Sequence, residues 1–339
     1  MACARGWIGR ATLDVMQMVW CVQAWPGGID PTSAARVVAE AATRSAPHVG
    51  ITTHPVGDGG PRTAEVWARD ARERVGGVDV VRHAGAHWLL PAHGGTRWDP
   101  LGLSAALIGL AADGAPGKRV VVPVGDTPPA GDAAALWGPS IAAFRNALKP
   151  LDISALVTAD RPLLGFHGMS AALLEGREGD PAMASAAQAQ EERWAGLALE
   201  ADAIAAVSSL IGPARASDVP GTGAAGGLAY ALHVGGARLA PAFRALVGED
   251  DLTVALSAAD IAVVVTEHLT PRTLDHGLAA AVSAVAATRA IPTVVLSASI
   301  HVGKRDLMAA GVDSAHTAGA GGDGLSEGVG RVLQTWARH

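Results

Sequence analysis

Apolar residues in this chain come in short runs divided by helical stripes. Met18-Val19-Trp20-Cys21-Val22 is apolar on both faces and predicts a buried strand. Trp25-Pro26-Gly27-Gly28 predicts a turn, and Asp30 before Pro31 predicts a capped helix start with proline at the first helical position. Val37, Val38, Ala41 and Ala42 form one stripe along that helix. A second strand over Val49–Thr53, ending at Pro55-Val56-Gly57-Asp58-Gly59-Gly60, completes a βαβ rhythm.

Arg119–Val124, Ile261–Val265 and Pro292–Leu296 are apolar on both faces, as strands covered by helices on both sides are. Each runs into small or polar residues at its C-terminal end, where open α/β sheets bind ligands. From Val78 to Leu103 short β-like pieces alternate with Gly and His, which predicts antiparallel structure. Residues 176–200 are rich in Ala, Gln and Glu and read as a solvated helix. The expected fold is α/β, with a doubly wound, mostly parallel sheet domain built from both chain ends (16–64 and 255–339) and a second α/β domain over 65–254.

At 339 residues the chain favours two domains over one small core. It is 49% apolar and 17% charged, which excludes a disordered chain. A net charge of −6 gives no footprint for a nucleic-acid polymer. No run approaches the roughly 20 apolar residues of a membrane helix. Arg5 and Arg10 precede an apolar run broken by Asp14 and Gln17, a poor signal peptide, and residues 1–15 read as a loose extension. Cys3 and Cys21 form no disulfide framework or ligand pattern, which fits a cytoplasmic protein. Lys118, Lys149 and Lys304 are the only lysines, few choices for a mobile ammonium beside a phosphate.

Gly221, Gly223 and Gly226 satisfy the G-x-G-x-x-G pattern. That pattern needs a strand before it, and Ala214–Pro220 is not strand-like, so dinucleotide binding is excluded here. Leu228–Leu232 continues as a helix. Two readings stay open: free N–H groups offered to an anion at a helix start, or close backbone packing.

Pro220-Gly221-Thr222-Gly223-Ala224-Ala225-Gly226-Gly227-Leu228 resembles the P-G-x-G-A-A-G-G-L signature of bacterial type I glycerate kinases. Ala237–Pro241, Ser257–Val263, Ala310–Ala315 and Leu325-Ser326-Glu327 resemble the segments that follow it in that family. Asp58-Gly59-Gly60 with Thr63 resembles its D-G-G-E-G-T, and Pro162-Leu163, Gly165 and Gly168 its N-P-L-x-G-x-x-G. The likeness runs in order over residues 18–338 and implies a two-domain fold with its site in the cleft between domains. It further implies transfer of the ATP γ-phosphoryl group to glycerate with Mg2+. Gly59, Gly60, Gly221, Thr222, Gly223, Gly226 and Gly227 would then bind the nucleotide.

The chain departs from the family where phosphoryl transfer needs cations and a group to orient the hydroxyl. Pro26 and Ile29 stand for an Asp and a Lys, and Pro61 and Arg62 for the Glu and Gly of D-G-G-E-G-T. The glycine-rich G-G-S-A-T-N-D segment becomes Gly125–Asp132, with prolines at 128 and 129 that remove backbone donors. Thr158 and Arg161 replace an Asp and an Asn. In G-E-G-R-L-D, now Val265–Thr270, the Glu, Arg and last Asp are gone while Leu269 stays. The candidates for rebuilt chemistry are Asp58, Asp132, Asp160, Arg161, Glu267 and His268, with Asp126 beside them. Asp58, Asp132 and Asp160 could hold magnesium or be turn and cap residues. His83 and His87 would share a face if Val80–Leu90 were one strand, and with His93 would make a weak metal or anion site or simply hydrogen-bonded histidines. Nine tryptophans predict core and interface packing.

Three functions fit: a degenerate homologue that binds a small hydroxy acid such as glycerate, or a nucleotide, without fast turnover; a working phosphotransferase with a rebuilt site; and a catalytically inactive partner that binds another protein.

Overall fold

The computed structural model describes residues 15–67, 73–113, 116–177, 179–205, 213–248 and 250–337. Most of the 1–15 extension, with Cys3, therefore lies outside the described residues. The described strands are β1 (Gln17–Val22), β2 (Gly50–Pro55), β3 (Glu73–Val75), β4 (Val78–His83), β5 (Ala86–Pro91), β6 (Lys118–Gly125), β7 (Leu151–Val157), β8 (Arg238–Pro241), β9 (Ile261–Leu269), β10 (Thr293–Ile300) and β11 (Ser314–Thr317). They form an all-parallel sheet, β11-β10-β9-β1-β2, and a mixed sheet, β3-β4-β5-β6-β7-β8, antiparallel only over β3-β4-β5. The first sheet draws its strands from both ends of the chain.

Local chemistry explains the first unit. Asp30 accepts the N–H groups of Thr32 (3.0 Å) and Ser33 (3.1 Å), two donors a helix start leaves unpaired. A hydrogen bond from the Ser33 side chain, with these backbone bonds, holds the Asp30 carboxyl below its ordinary pKa. The helix Pro31–Ser45 then buries Ala34, Ala35, Val38, Ala41 and Ala42 against β1 and the last helix, Gly321–Trp336. On the sheet's other face, helices Ala242–Val247, Asp250–Ser257 and Leu278–Ala287 build a core that also takes in Val81, Trp88, Leu90, Val121 and Leu156 of the second sheet. A third core covers the far face of that second sheet. The two sheets thus share the apolar layer between them. Cys21 sits in that layer, and burial pushes its thiol up to about 12.

The antiparallel structure expected after Val78 is the β4–β5 hairpin: the chain reverses at Ala84 (φ 48°) and Gly85 (φ 71°), so Val80–Leu90 is not one strand, Arg82 faces His87 and His83 faces Ala86. His83 stacks on Trp67 at 4.1 Å, and burial lowers its pKa, whereas His87 stands on the neighbouring strand with a buried Nδ1. The side chain of His93 lies outside the described residues. Beyond the hairpin, Asp99 caps a helix, Pro100–Ala112, where more β structure was expected. The solvated helix over 176–200 is Pro181–Ala205, and it buries Ala187, Trp194, Ala198, Ala201 and Ala205. Trp194, Trp137 and Tyr230 meet edge-on in the third core at 6.0–6.5 Å.

The sheets meet at glycines. A Cβ on Gly125 would lie 2.6 Å from the Cα of Gly60, and one on Gly59 would lie 2.7 Å from Thr158 Cγ2. Gly125 also has φ +63°, a region that L side chains enter at a cost. Gly125→Ala is expected to destabilise the protein by roughly 2–5 kcal/mol, combining left-handed strain with overpacking. Denaturant unfolding reads this, and a loss under about 0.5 kcal/mol, the range of an ordinary surface change, would mean that the contact does not constrain the fold.

Candidate active site

The carboxyl ends of β1, β2, β6 and β9 open onto one cleft of about 1110 Å3. Its walls come from both sheets: Gln23–Thr32 after β1, Asp58, Gly60 and Arg62 after β2, Gly125–Thr127 after β6, Thr158 after β7, and Thr266–Leu269 with Arg272 and His276 from β9 and the helix Pro271–His276. An open hollow between the first and last helices lies elsewhere and holds none of the candidate residues.

On the first-sheet side, Asp58 Oδ1 accepts the N–H of Gly60 (2.8 Å) and the hydroxyl of Thr63 (3.1 Å), so this carboxylate shapes its own loop. Arg62 donates through Nε (2.9 Å) and Nη2 (2.6 Å) to Glu65, which raises the pKa of the guanidinium. Glu267 and His268 lie at the exposed end of β9, 3.4 Å apart, and His268 Nδ1 is 2.8 Å from Ser299 Oγ. Facing them, Asp126 is half-buried. Its Oδ1 accepts from Arg161 and from the Ala225 N–H (3.2 Å), and its Oδ2 from Arg272. Asp160 is exposed, 3.6 Å from His276.

The candidates therefore divide. Asp58, Gly60, Glu267 and His268 line the cleft. Gly59 packs beneath it, Arg161 stands behind Asp126, and Asp160 reaches a cleft residue only through His276. Asp132 does not line it: it caps the turn Ala133–Trp137, accepting the Ala134 N–H at 3.0 Å, and pairs with Arg193. Asp58, Asp132 and Asp160 are thus engaged separately, and no group of three His, Cys, Asp or Glu among the described residues is placed to hold a metal ion.

Gly221–Gly227 lies behind the cleft and is absent from its lining. The turn Ala216–Asp218 precedes it, as the exclusion of a dinucleotide site requires. Gly221 N–H donates to the carbonyls of Asp160 (2.9 Å) and Arg161 (3.2 Å), and Gly223 N–H to that of Arg161 (3.0 Å). Fully buried Thr222 accepts the Leu163 N–H at 3.0 Å and donates to the Val219 carbonyl at 2.7 Å. A Cβ at Gly223 would meet the Pro162 carbonyl oxygen at 2.3 Å, and one at Gly227 would meet Trp194 at 2.5 Å. Of the two readings of this stretch, its contacts are those of close packing. It fixes the loop that carries Arg161, and through Ala225 it holds Asp126.

A model described as the glycerate kinase family matches residues 130–330, more than half of the chain. The chain belongs to this glycerate kinase family. Its fold is similar to the crystal structure of a Salmonella typhimurium LT2 protein assigned as glycerate kinase 2, with a TM-score of 0.62 at 16% identity, covering 95% of this chain and 96% of that one. No curated protein matches the chain by sequence. The matched span excludes Asp58, Gly60 and Asp126, so this part of the cleft lies outside the family match.

Sequence reasoning missed Arg272 and His276, one helical turn apart on a helix capped by Thr270. An arginine and a histidine at i, i+4 just past the end of a buried strand were the available signal. Thr222→Val is expected to remove one of the two acceptors of the Leu163 N–H, which keeps the Ser217 carbonyl at 3.1 Å, and to cost about 0.5–1.5 kcal/mol. Urea unfolding should show a lower midpoint with unchanged slope. An unchanged midpoint would deny the segment its bracing role.

Proposed function

We propose that this glycerate kinase family protein binds a small hydroxy acid in its cleft and transfers phosphoryl groups weakly or not at all. One observation carries the reading: both arginines that line the cleft are already engaged by carboxylates, Arg62 by Glu65 and Arg272 by Asp126. No lysine lines it. A triphosphate needs cations or metal on the migrating group, and here it would have to break these pairs beside Asp30, Asp58 and Glu267. The residues present do not fit Mg-ATP. Each strong electrostatic contact to a transition state contributes about 3–4 kcal/mol, so losing several removes most of a kinase's rate. A small hydroxy acid makes lighter demands. One arginine released from its pair and a few hydroxyls suffice, and Thr127, Thr158 and Thr266 supply the latter.

Thermal unfolding with D-glycerate, with Mg-ATP and with both, beside a coupled assay for ADP, tests the reading. A ligand at 100 times its Kd stabilises by about 2.7 kcal/mol, a shift of several degrees. The expected result is stabilisation by D-glycerate without glycerate-dependent ADP release. Rapid ADP release that requires glycerate and magnesium would overturn the loss of catalysis. No shift with either ligand would overturn small-ligand binding and favour the protein-binding alternative.

A further inference from the structure

The charges around Asp126 do not balance. Two guanidinium groups, Arg161 and Arg272, converge on this single carboxylate, which also takes the Ala225 N–H. Arg62, by contrast, has Glu65 as its own partner. The cluster therefore carries one positive charge in excess at a half-buried place: the Asp126 and Arg161 side chains are 18% and 19% exposed. Arg161 Nε is buried with no hydrogen-bond partner among the described residues. Arg272 is the accessible member, 51% exposed and part of the cleft wall.

We propose that Arg272 and Arg161 form an anion subsite which Asp126 fills as an internal counter-ion, and that the carboxylate of a small acid binds there by displacing Asp126 from Arg272. This rests on the small-acid reading given above. A guanidinium presents two parallel donors that match a carboxylate, so Arg272 can exchange one carboxylate for another without changing its geometry. The single excess charge selects a monoanion. A second anionic group would lie in a cleft that also holds Asp30, Asp58, Glu65 and Glu267. Arg161 stays behind as the fixed member, because Gly221 and Gly223 pin its carbonyl. Asp126 thus sets the affinity of the site by competing for its cation.

Isothermal titration of the full chain with D-glycerate, and separately with glycerol and inorganic phosphate, tests the proposal. Arg272→Gln should weaken D-glycerate binding by roughly tenfold or more. Asp126→Asn, which removes the competitor's charge and keeps its shape, should tighten it several-fold. Glycerol, which lacks the carboxylate, should not distinguish the variants. D-glycerate binding unchanged in Arg272→Gln, weaker binding by folded Asp126→Asn, or tighter binding of phosphate than of D-glycerate would each overturn it. Arg272 is half-exposed, so its variant remains readable if Asp126→Asn fails to fold. ADP release bears on the loss of catalysis alone and leaves this test standing.

Discussion

Gly60 and Gly125 touch backbone to backbone, and no methyl group fits between them. That contact lets the loops after β2 and β6 approach closely enough to make one cleft from two sheets. The apolar layer behind it, running from Val19 and Val264 through Phe243 to Trp88 and Leu156, holds the sheets at a fixed separation. The glycine contact then decides which side chains face one another. Asp58 fastens one loop through Gly60 and Thr63. The Gly221–Gly227 segment fastens the opposite wall by clamping the Asp160–Leu163 loop and reaching Asp126.

A rigid scaffold of this kind does not dictate chemistry. What marks the cleft is that its arginines are engaged internally. Arg62 and Arg272 each lie against a carboxylate from the same cleft, and His268 and His276 stand beside Glu267 and Asp160. A phosphate-handling site leaves donors waiting for its substrate, since preorganised donors stabilise the charge that develops there. Here that role is open only around Asp126, where two arginines share one acid.

Features governed by neighbouring residues were legible in the sequence. The Asp30–Pro31 helix start, the strands at Met18 and Ile261, and the absence of a strand before Gly221 all follow from local rules. Features governed by distant residues were not. Nothing near Thr222 indicates that its hydroxyl serves Leu163, and Arg272 meets Asp126 across 146 positions. Antiparallel structure was expected after Val78, but the turn position at Ala84 was hidden because an alanine, not a residue typical of left-handed turns, occupies φ 48°. The buried face of Pro181–Ala205 was hidden because alanine supplies most of it and gives little hydrophobic contrast. Among the candidate residues, the sequence placed Asp58, Glu267 and His268 at strand ends that do face the cleft. Asp132 also follows a strand, yet its partner on the helix Pro181–Ala205 draws it elsewhere.

A crystal structure of the protein grown with D-glycerate and a magnesium complex of a non-hydrolysable ATP analogue would test the central claim most directly. The account predicts an ordered glycerate in the cleft, its carboxylate on Arg272, and no ordered triphosphate. A triphosphate and magnesium held between the Asp58–Gly60 loop and the helix Pro271–His276 would contradict it.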